Sequence, residues 1–290
     1  MKFQTILSNK NYEKLYYLLK DENLSEAYIS RLRKKEGLLL VNGIAANMKT
    51  IVKKGDKVEI AEELSSKSSF KHCDLHLDIV FEDDFLLVIN KPSNLACIPN
   101  KSHYNLNLAG AVCKYMDKKS ENFVYRIINR LDKDTSGLVV IAKNLFAYNN
   151  IGQIEKTYEA ICEGKINEEI VIDKPIYTEN INGINTMKRI ISPLGKEAQT
   201  FVYPIKSNQN LSHIKLKINH GRTHQIRVHL SSISHPLLGD IIYGKKSDLI
   251  NHTALICKEI SFIHPKTRQN ISLSASYEQD FQTLIKQISF

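Results

Sequence analysis

The 290-residue sequence predicts an α+β fold: a mixed, mainly antiparallel sheet preceded by a small α/β module. Three observations carry this. Runs of branched and aromatic residues recur through the middle and end of the chain, with helical periodicity scattered between them instead of alternating regularly, which argues against a doubly wound sheet. The first 60 residues have a self-contained pattern of two short helices and a hairpin. Between the two parts, Glu62–Lys71 holds four serines, few apolar residues and no periodicity, as a linker does. The expected division is a front module over 1–62, a linker over 63–72 and a main domain over 73–290.

In the front module, Leu15, Leu18 and Leu19 mark a first helix. Ser25 is the N-cap of a second, which carries Ile29 and Leu32 at helical spacing and stops at Gly37. Leu38–Val41 reads as a strand, Asn42-Gly43 as a tight turn and Lys57–Ile60 as a closing strand. Between Tyr28 and Val58 lie Arg31, Arg33, Lys34, Lys35, Lys49, Lys53, Lys54 and Lys57, opposed by Glu36 and Asp56, a local charge of +6. A solvated helix face is the plain reading of a charge run. Two-thirds of the chain's net +9 concentrated in so short a stretch favours a phosphate-binding surface, with Arg31, Arg33, Lys34, Lys35, Lys53 and Lys54 as its contacts.

In the main domain, Ile79–Glu82 and Phe85–Asn90 form a hairpin around Asp83-Asp84, and a helix spans about Leu106–Met116. Leu138–Ala142 is a fully buried strand by its branched apolar content. Asn144 caps a helix running toward Glu155, followed by the strand Tyr158–Cys162. Further strands are expected around Ala198–Tyr203 and His213–Ile218, then a helix from Thr223 with Ile226, Leu230 and Ile233 on its core face.

Composition narrows the class. With 42% hydrophobic and 24% charged residues the chain is neither disordered nor fibrous. No apolar run approaches the roughly 20 residues of a membrane span. Met1–Lys20 lacks the apolar block of a secretory signal, and Cys73, Cys97, Cys113, Cys162 and Cys257 are odd in number, scattered and without a CxxC pair. Reduced thiols in a cytoplasmic protein without a membrane partner, and a monomer, are expected. The positive balance favours a polyanionic partner.

Two segments concentrate chemistry. Arg130-Leu131-Asp132-Lys133-Asp134-Thr135-Ser136-Gly137 sets carboxylates and cations in a polar loop entering the apolar strand. Neighbouring cations keep Asp132 ionised, as a nucleophile or base must be, although a loop whose Asp and Thr cap backbone amides has the same look. Asn219–Leu230, NHGRTHQIRVHL, gathers donors at a helix start, with Thr223 as N-cap and His224 and Arg227 on one face, Arg227 placed to fork onto a carboxylate. His220, His224 and His229 invite a zinc reading, but neither HExxH nor a supporting cysteine accompanies them, and no metal site is expected.

RLDKDTSGLVVIAK resembles the signature loop of the RluA/RluD-type RNA pseudouridine synthases, and HGRTHQIRVHLSSISHPLLGDIIYG resembles their later signature. Val88-Ile89-Asn90-Lys91-Pro92, Lys156-Thr157-Tyr158-Glu159-Ala160, Gly195–Thr200 and Phe262-Ile263-His264-Pro265 continue the resemblance in order, over about residues 74 to 275. Residues 11 to 60 resemble the RNA-binding domain typified by ribosomal small-subunit protein four. The resemblance implies the pseudouridine synthase fold and isomerisation of uridine in RNA, large-subunit ribosomal RNA first and transfer RNA next. It implies Asp132 as catalytic carboxylate, Arg227 as its ion-pair partner, Tyr158 stacked on the target uracil and Arg130 filling the gap left by a flipped nucleotide. Arg222, His224 and Lys91 fall at the substrate-binding edge of the same motifs. The reaction moves a uracil from nitrogen to carbon attachment on one ribose with all atoms conserved, so no cofactor is expected. Whether Asp132 attacks the anomeric carbon or removes a ribose proton stays open. The chain departs from the pattern at Asn129, Asn94 and Ile256-Cys257, where histidine, glycine and His-Ala are usual. A non-catalytic RNA-binding or ribosome-assembly factor is the alternative reading, against which the joint presence of Asp132, Tyr158 and Arg227 argues.

Overall fold

The computed structural model describes residues 3–34, 39–61, 70–99, 104–119, 123–181 and 184–288. The front part is β1 (Phe3–Leu7), α1 (Leu15–Asp21), α2 (Glu26–Arg33), β2 (Leu39–Val41), β3 (Ile44–Ala45) and β4 (Lys57–Ala61). The strands form an antiparallel sheet in the order β1-β4-β2-β3. Asn42 and Gly43, at φ 52° and 80°, make the two-residue turn between β2 and β3, both in the left-handed region that such a hairpin demands. Leu15, Leu18 and Leu19 of α1 and Tyr28, Ile29 and Leu32 of α2 bury against Val58 and Ile60 of the sheet. Ser25 caps α2 as its sequence position predicts, its side chain accepting from the Tyr28 amide at 3.3 Å. The expected stop at Gly37, Lys35, and linker residues 63–69 lie outside the described residues.

The rest begins with β5 (Ile79–Glu82), β6 (Leu86–Lys91), α3 (Leu108–Lys118), β7 (Arg126–Ile127), β8 (Ser136–Ala142) and α4 (Leu145–Asn150). It continues with β9 (Glu155–Glu163), β10 (Ile170–Asp173), β11 (Ile176–Ile181), β12 (Ile184–Ile191), β13 (Gln199–Ser207) and β14 (Leu211–Ile218). Then come α5 (Gln225–Ser231), β15 (Leu255–Ile263), β16 (Asn270–Ser274) and α6 (Gln279–Ile288). Ten strands make one sheet in the order β10-β13-β14-β9-β15-β8-β6-β5, with β16 beside β15 and β7 beside β8. Among the described strands of this sheet β15 and β8 run parallel and the other pairings are antiparallel, so the sheet is mixed and mainly antiparallel as predicted. Every residue of β8 is buried, which is why its sequence is continuously apolar instead of alternating.

Asp83 closes the first hairpin by accepting from the amides of Phe85 and Leu86. The helix expected from Asn144 exists and Asn144 caps it, accepting from the Ala147 amide at 2.8 Å. It ends at Asn150 and not near Glu155, because Gly152 turns the chain at φ 72° into β9. The helix expected from Thr223 begins two residues later, at Gln225.

β11 and β12 pair as a separate antiparallel ribbon, and the four-stranded and ten-stranded sheets have distinct cores that meet at a seam. Phe146 of α4 belongs to the front core, its ring edge-on to Tyr28 of α2 at 6.4 Å and to Phe85 at 5.9 Å. The Asn150 side chain accepts from the Ser25 amide across the same seam at 2.7 Å.

Candidate active site

The loop before β8 is built so that Asp132 stands clear of the sheet. The Thr135 amide donates to the Asp132 carbonyl at 3.2 Å, turning the chain, and Thr135 and Ser136 are buried. Gly137, at φ 107°, lies where the β8 and β15 backbones touch; a Cβ there would sit 2.3 Å from the Cys257 carbonyl oxygen. No other residue fits. Asn129 fastens the other end of the loop, donating to the Leu138 carbonyl and accepting from the Val140 amide, which is a sufficient reason for an amide where histidine is usual. Asn94 adopts φ 58°, a conformation asparagine tolerates next best after glycine.

Beneath the loop is Lys91, fully buried, its ammonium donating to the carbonyls of Pro92, Leu95 and Lys133. Burial pulls its pKa down to about 8. All three ammonium protons are committed to backbone, so the expectation that Lys91 binds substrate is corrected: it is a tie between the chain after β6 and the Asp132 loop.

Tyr158 projects from β9, paired with Leu216 of β14 and Cys257 of β15, and is buried. Burial first, then the neighbouring Cys257 thiol and the charge of Asp132, holds its phenol pKa well above the ordinary value, so the ring is neutral. Cys257, which replaces the usual alanine, is fully buried with its thiol pKa pushed up to about 12 by burial; it packs and does not react.

His224 takes the left-handed conformation, φ 56°, immediately before α5 and offers no side-chain cap. It displaces Thr223 from the expected N-cap position, and its strained backbone turns the ring toward the loop. Nδ1 meets the Tyr243 hydroxyl at 3.0 Å and Nε2 lies 4.0 Å from the Asp132 carboxylate. Burial lowers the imidazole pKa, with help from the Arg227 and Arg189 cations and against the pull of Asp132. A neutral imidazole beside the carboxylate is a hydrogen-bond partner or a proton acceptor.

Arg227 corrects a central expectation. Its ion-pair partner is Asp240, not Asp132: Nε and Nη2 donate to the two Asp240 oxygens at 2.7 and 2.6 Å. Both residues are buried, and a cation taken out of water requires a carboxylate equally withdrawn, which an exposed loop does not supply. Asp240 also accepts from the amides of Ile242 and Tyr243, and the Arg227 guanidinium lies over the Tyr243 ring at 5.4 Å. The charge of Asp132 still reaches Arg227. Asp240 and Tyr243 are the site residues that sequence reasoning missed. They stand inside the matched later signature, LLGDIIYG, so the signal was a lone aspartate in an otherwise apolar run.

Arg130 is exposed beside the loop. Arg222 is half-buried, its Nε donating to the Glu197 carbonyl at 3.0 Å, and its amide donates to Gln225. His229 commits both ring nitrogens, to Thr200 and to the Lys174 carbonyl, so it has no lone pair left for a metal. A cleft of about 860 Å³ is lined by Lys156 of β9, Lys217 of β14 and by Asn129, Asn219 and His220 at the starts of the two signature segments, and not by Asp132, Tyr158 or His224. In the front module Arg31, Arg33, Lys34, Lys53 and Lys54 are all exposed.

Residues 85–232 match the family of RNA pseudouridylate synthases, and the chain belongs to it. Similar proteins include the Bacillus subtilis RNA pseudouridine synthase YhcT, 38% identical over 81% of this chain and 80% of that one. YjbO of the same organism is 32% identical over 91% and 95%. The ribosomal large subunit pseudouridine synthase D of Vibrio parahaemolyticus is 32% identical over 90% and 87%. The solved structure of human RNA pseudouridylate synthase domain containing 4 shares the fold at a TM-score of 0.58 and 21% identity, over 73% of this chain and 92% of that one. The chain is an RNA pseudouridine synthase of the RluA/RluD type.

Proposed function

We propose that this enzyme isomerises specific uridines of large-subunit ribosomal RNA, with Asp132 as the catalytic carboxylate and Tyr158 stacked on the flipped uracil. The observation that carries the reading is the buried His224 imidazole set 4.0 Å from the Asp132 loop carboxylate within the matched family segment, which also contains the buried Tyr158 ring on β9. Asp132 either attacks the anomeric carbon, forming an ester as the bond to the uracil nitrogen breaks, or takes a ribose proton as that bond breaks. The uracil turns against Tyr158 and a ring carbon bonds to the anomeric carbon, which expels Asp132 in the first case and is followed by return of the ribose proton in the second. That ring carbon loses its proton and the freed nitrogen gains one, an exchange that neutral His224 beside Asp132 is placed to assist. Arg227 acts through the Asp240 lock as a positioning residue that also adds positive potential at the carboxylate. Extruding a paired uridine costs a few kcal/mol, offset by stacking and by cationic contacts from Arg130 and the cleft lysines.

The front part serves as an RNA-binding domain of the ribosomal protein four type, and the enzyme works in the cytoplasm as a monomer. The ribosomal assignment is supported by the similarity to large-subunit pseudouridine synthase D of two Vibrio species. Tritium release from uridine-labelled transcripts tests the site. Asp132→Ala reduces release to background while the protein stays folded, and Asp134→Ala, two residues away, keeps substantial activity. A reversal of that order means the loop carboxylate has been misassigned. Wild-type protein that binds RNA but never releases tritium from any RNA pool returns the reading to a non-catalytic binding factor. Pseudouridine mapping in a deletion strain separates ribosomal from transfer RNA.

A further inference from the structure

The front module carries a second cavity, of about 880 Å³, far in sequence from the Asp132 loop. Its floor is apolar, formed by buried residues such as Met48, and its wall is Tyr16 and Tyr17, the rings edge-on at 5.6 Å. Tyr17 is 45% exposed, a large aromatic ring open to solvent on a helix whose other apolar residues are buried. Lys14, Arg33 and Lys49 stand at the rim, and no acidic side chain lines the cavity among the described residues. Lys14 Nζ lies 5.8 Å from the Tyr17 ring centre.

The cavity is preformed. The Leu15 amide donates to the Thr50 carbonyl at 2.7 Å and the Tyr16 amide to Met48 at 3.2 Å, tying the start of α1 to the loop after β3. The Asn47 side chain holds the Lys49 amide, and the Tyr16 hydroxyl is fixed on Glu26 at 2.9 Å. An open aromatic ring in a cavity whose described lining has cations and no carboxylate suits a flat, uncharged ring tethered to phosphates.

We propose that this cavity takes one unpaired RNA nucleotide, its base stacked on Tyr17 and its flanking phosphates on Lys14, Arg33 and Lys49. This rests on the reading of the chain as an RNA enzyme, and it changes what the front module does. Phosphate contacts alone hold any RNA; a base-stacking cavity selects RNA with an unpaired nucleotide at a fixed place relative to the target uridine.

The test uses the full chain and two labelled blunt RNA duplexes, one fully paired and one with a single bulged nucleotide, across a range of salt. Wild-type protein prefers the bulged RNA. Tyr17→Ala weakens that binding about tenfold without changing its salt dependence and leaves the paired duplex unaffected, while Tyr17→Phe keeps the preference. Lys49→Ala instead lowers the salt slope by about one on both RNAs. Wild-type indifference to the bulge, or equal effects of Tyr17→Ala on both RNAs, overturns the proposal and leaves the cavity to another occupant such as a partner protein. Turnover of the wild-type protein on a short minimal substrate is measured separately. Failure of the wild-type protein on that substrate overturns the catalytic reading and leaves this one standing.

Discussion

Asp132 and Asp240 are both aspartates near a cation, yet their surroundings give them opposite tasks. Asp240 is completely buried and spends both oxygens on Arg227 and two amides, so it has nothing left to offer a substrate. Asp132 has a third of its side chain exposed and the neutral His224 imidazole 4.0 Å away, which leaves its lone pairs open to chemistry. The buried pair is a lock whose two halves are each costly to leave alone. Asp240→Asn is expected to lower unfolding stability by about 3–5 kcal/mol in urea titrations, because it strands the Arg227 cation. Adding Arg227→Met recovers part of that loss, since the orphaned charge disappears with it. A loss under about 1 kcal/mol for Asp240→Asn would sink the account of a buried lock. The identity of this pair was not legible beforehand. Thirteen residues separate the partners, and nothing in the local pattern distinguishes a carboxylate destined for the interior from one on a loop. Lys91 failed for the same reason: the three carbonyls it holds come from turns whose approach only the fold decides.

At the scale of elements, what could be read ahead was what depends on near neighbours in sequence. The caps at Ser25 and Asn144, the Asn42-Gly43 turn and the apolar strand β8 are local statements, and the structure contains each of them. β1 and β16 were not anticipated, because FQTIL and NISLS are short and lack a clean apolar face; β1 is a strand through pairing with the distant β4, and β16 through pairing back onto β15 across a short turn. The crossing of β8 and β15 is another long-range event, and Gly137 is its hinge point. Gly137→Ala would press a methyl into the Cys257 backbone, so a stability loss beyond about 2 kcal/mol and loss of turnover are expected, the latter because Asp132 is carried into place by this strand. Gly152→Ala is the comparison: its φ is also positive, at 72°, but nothing lies within 4 Å, so only the backbone strain of about 1–2 kcal/mol is incurred. Thermal melts that rank the two equally would show that the strand crossing does not carry the constraint.

Over the whole molecule, the relation between the front module and the catalytic sheet decides which experiments are clean. Phe146 is buried in the front core, and removing residues 1–62 would expose it together with Phe85, mixing lost RNA contacts with a new apolar surface. The charge hypothesis is better tested within the intact chain by Arg31→Ala, Arg33→Ala, Lys53→Ala and Lys54→Ala together, all exposed positions whose truncation leaves both cores whole. If these cations neutralise phosphates, each one in contact releases counterions, and the plot of log affinity against log salt should lose about one unit of slope per contact. The variant should bind full-length ribosomal RNA more weakly at physiological salt and approach wild type as salt rises, where the wild-type advantage is screened away. Turnover on a short minimal substrate should stay near wild type, because Asp132, Tyr158 and His224 are untouched. An unchanged salt slope would place the phosphate contacts elsewhere, such as on the cleft lined by Lys156 and Lys217. Equal loss on short and long RNAs would mean the basic face of the front module reaches the reacting nucleotide itself, and the division of labour between binding module and catalyst would fall.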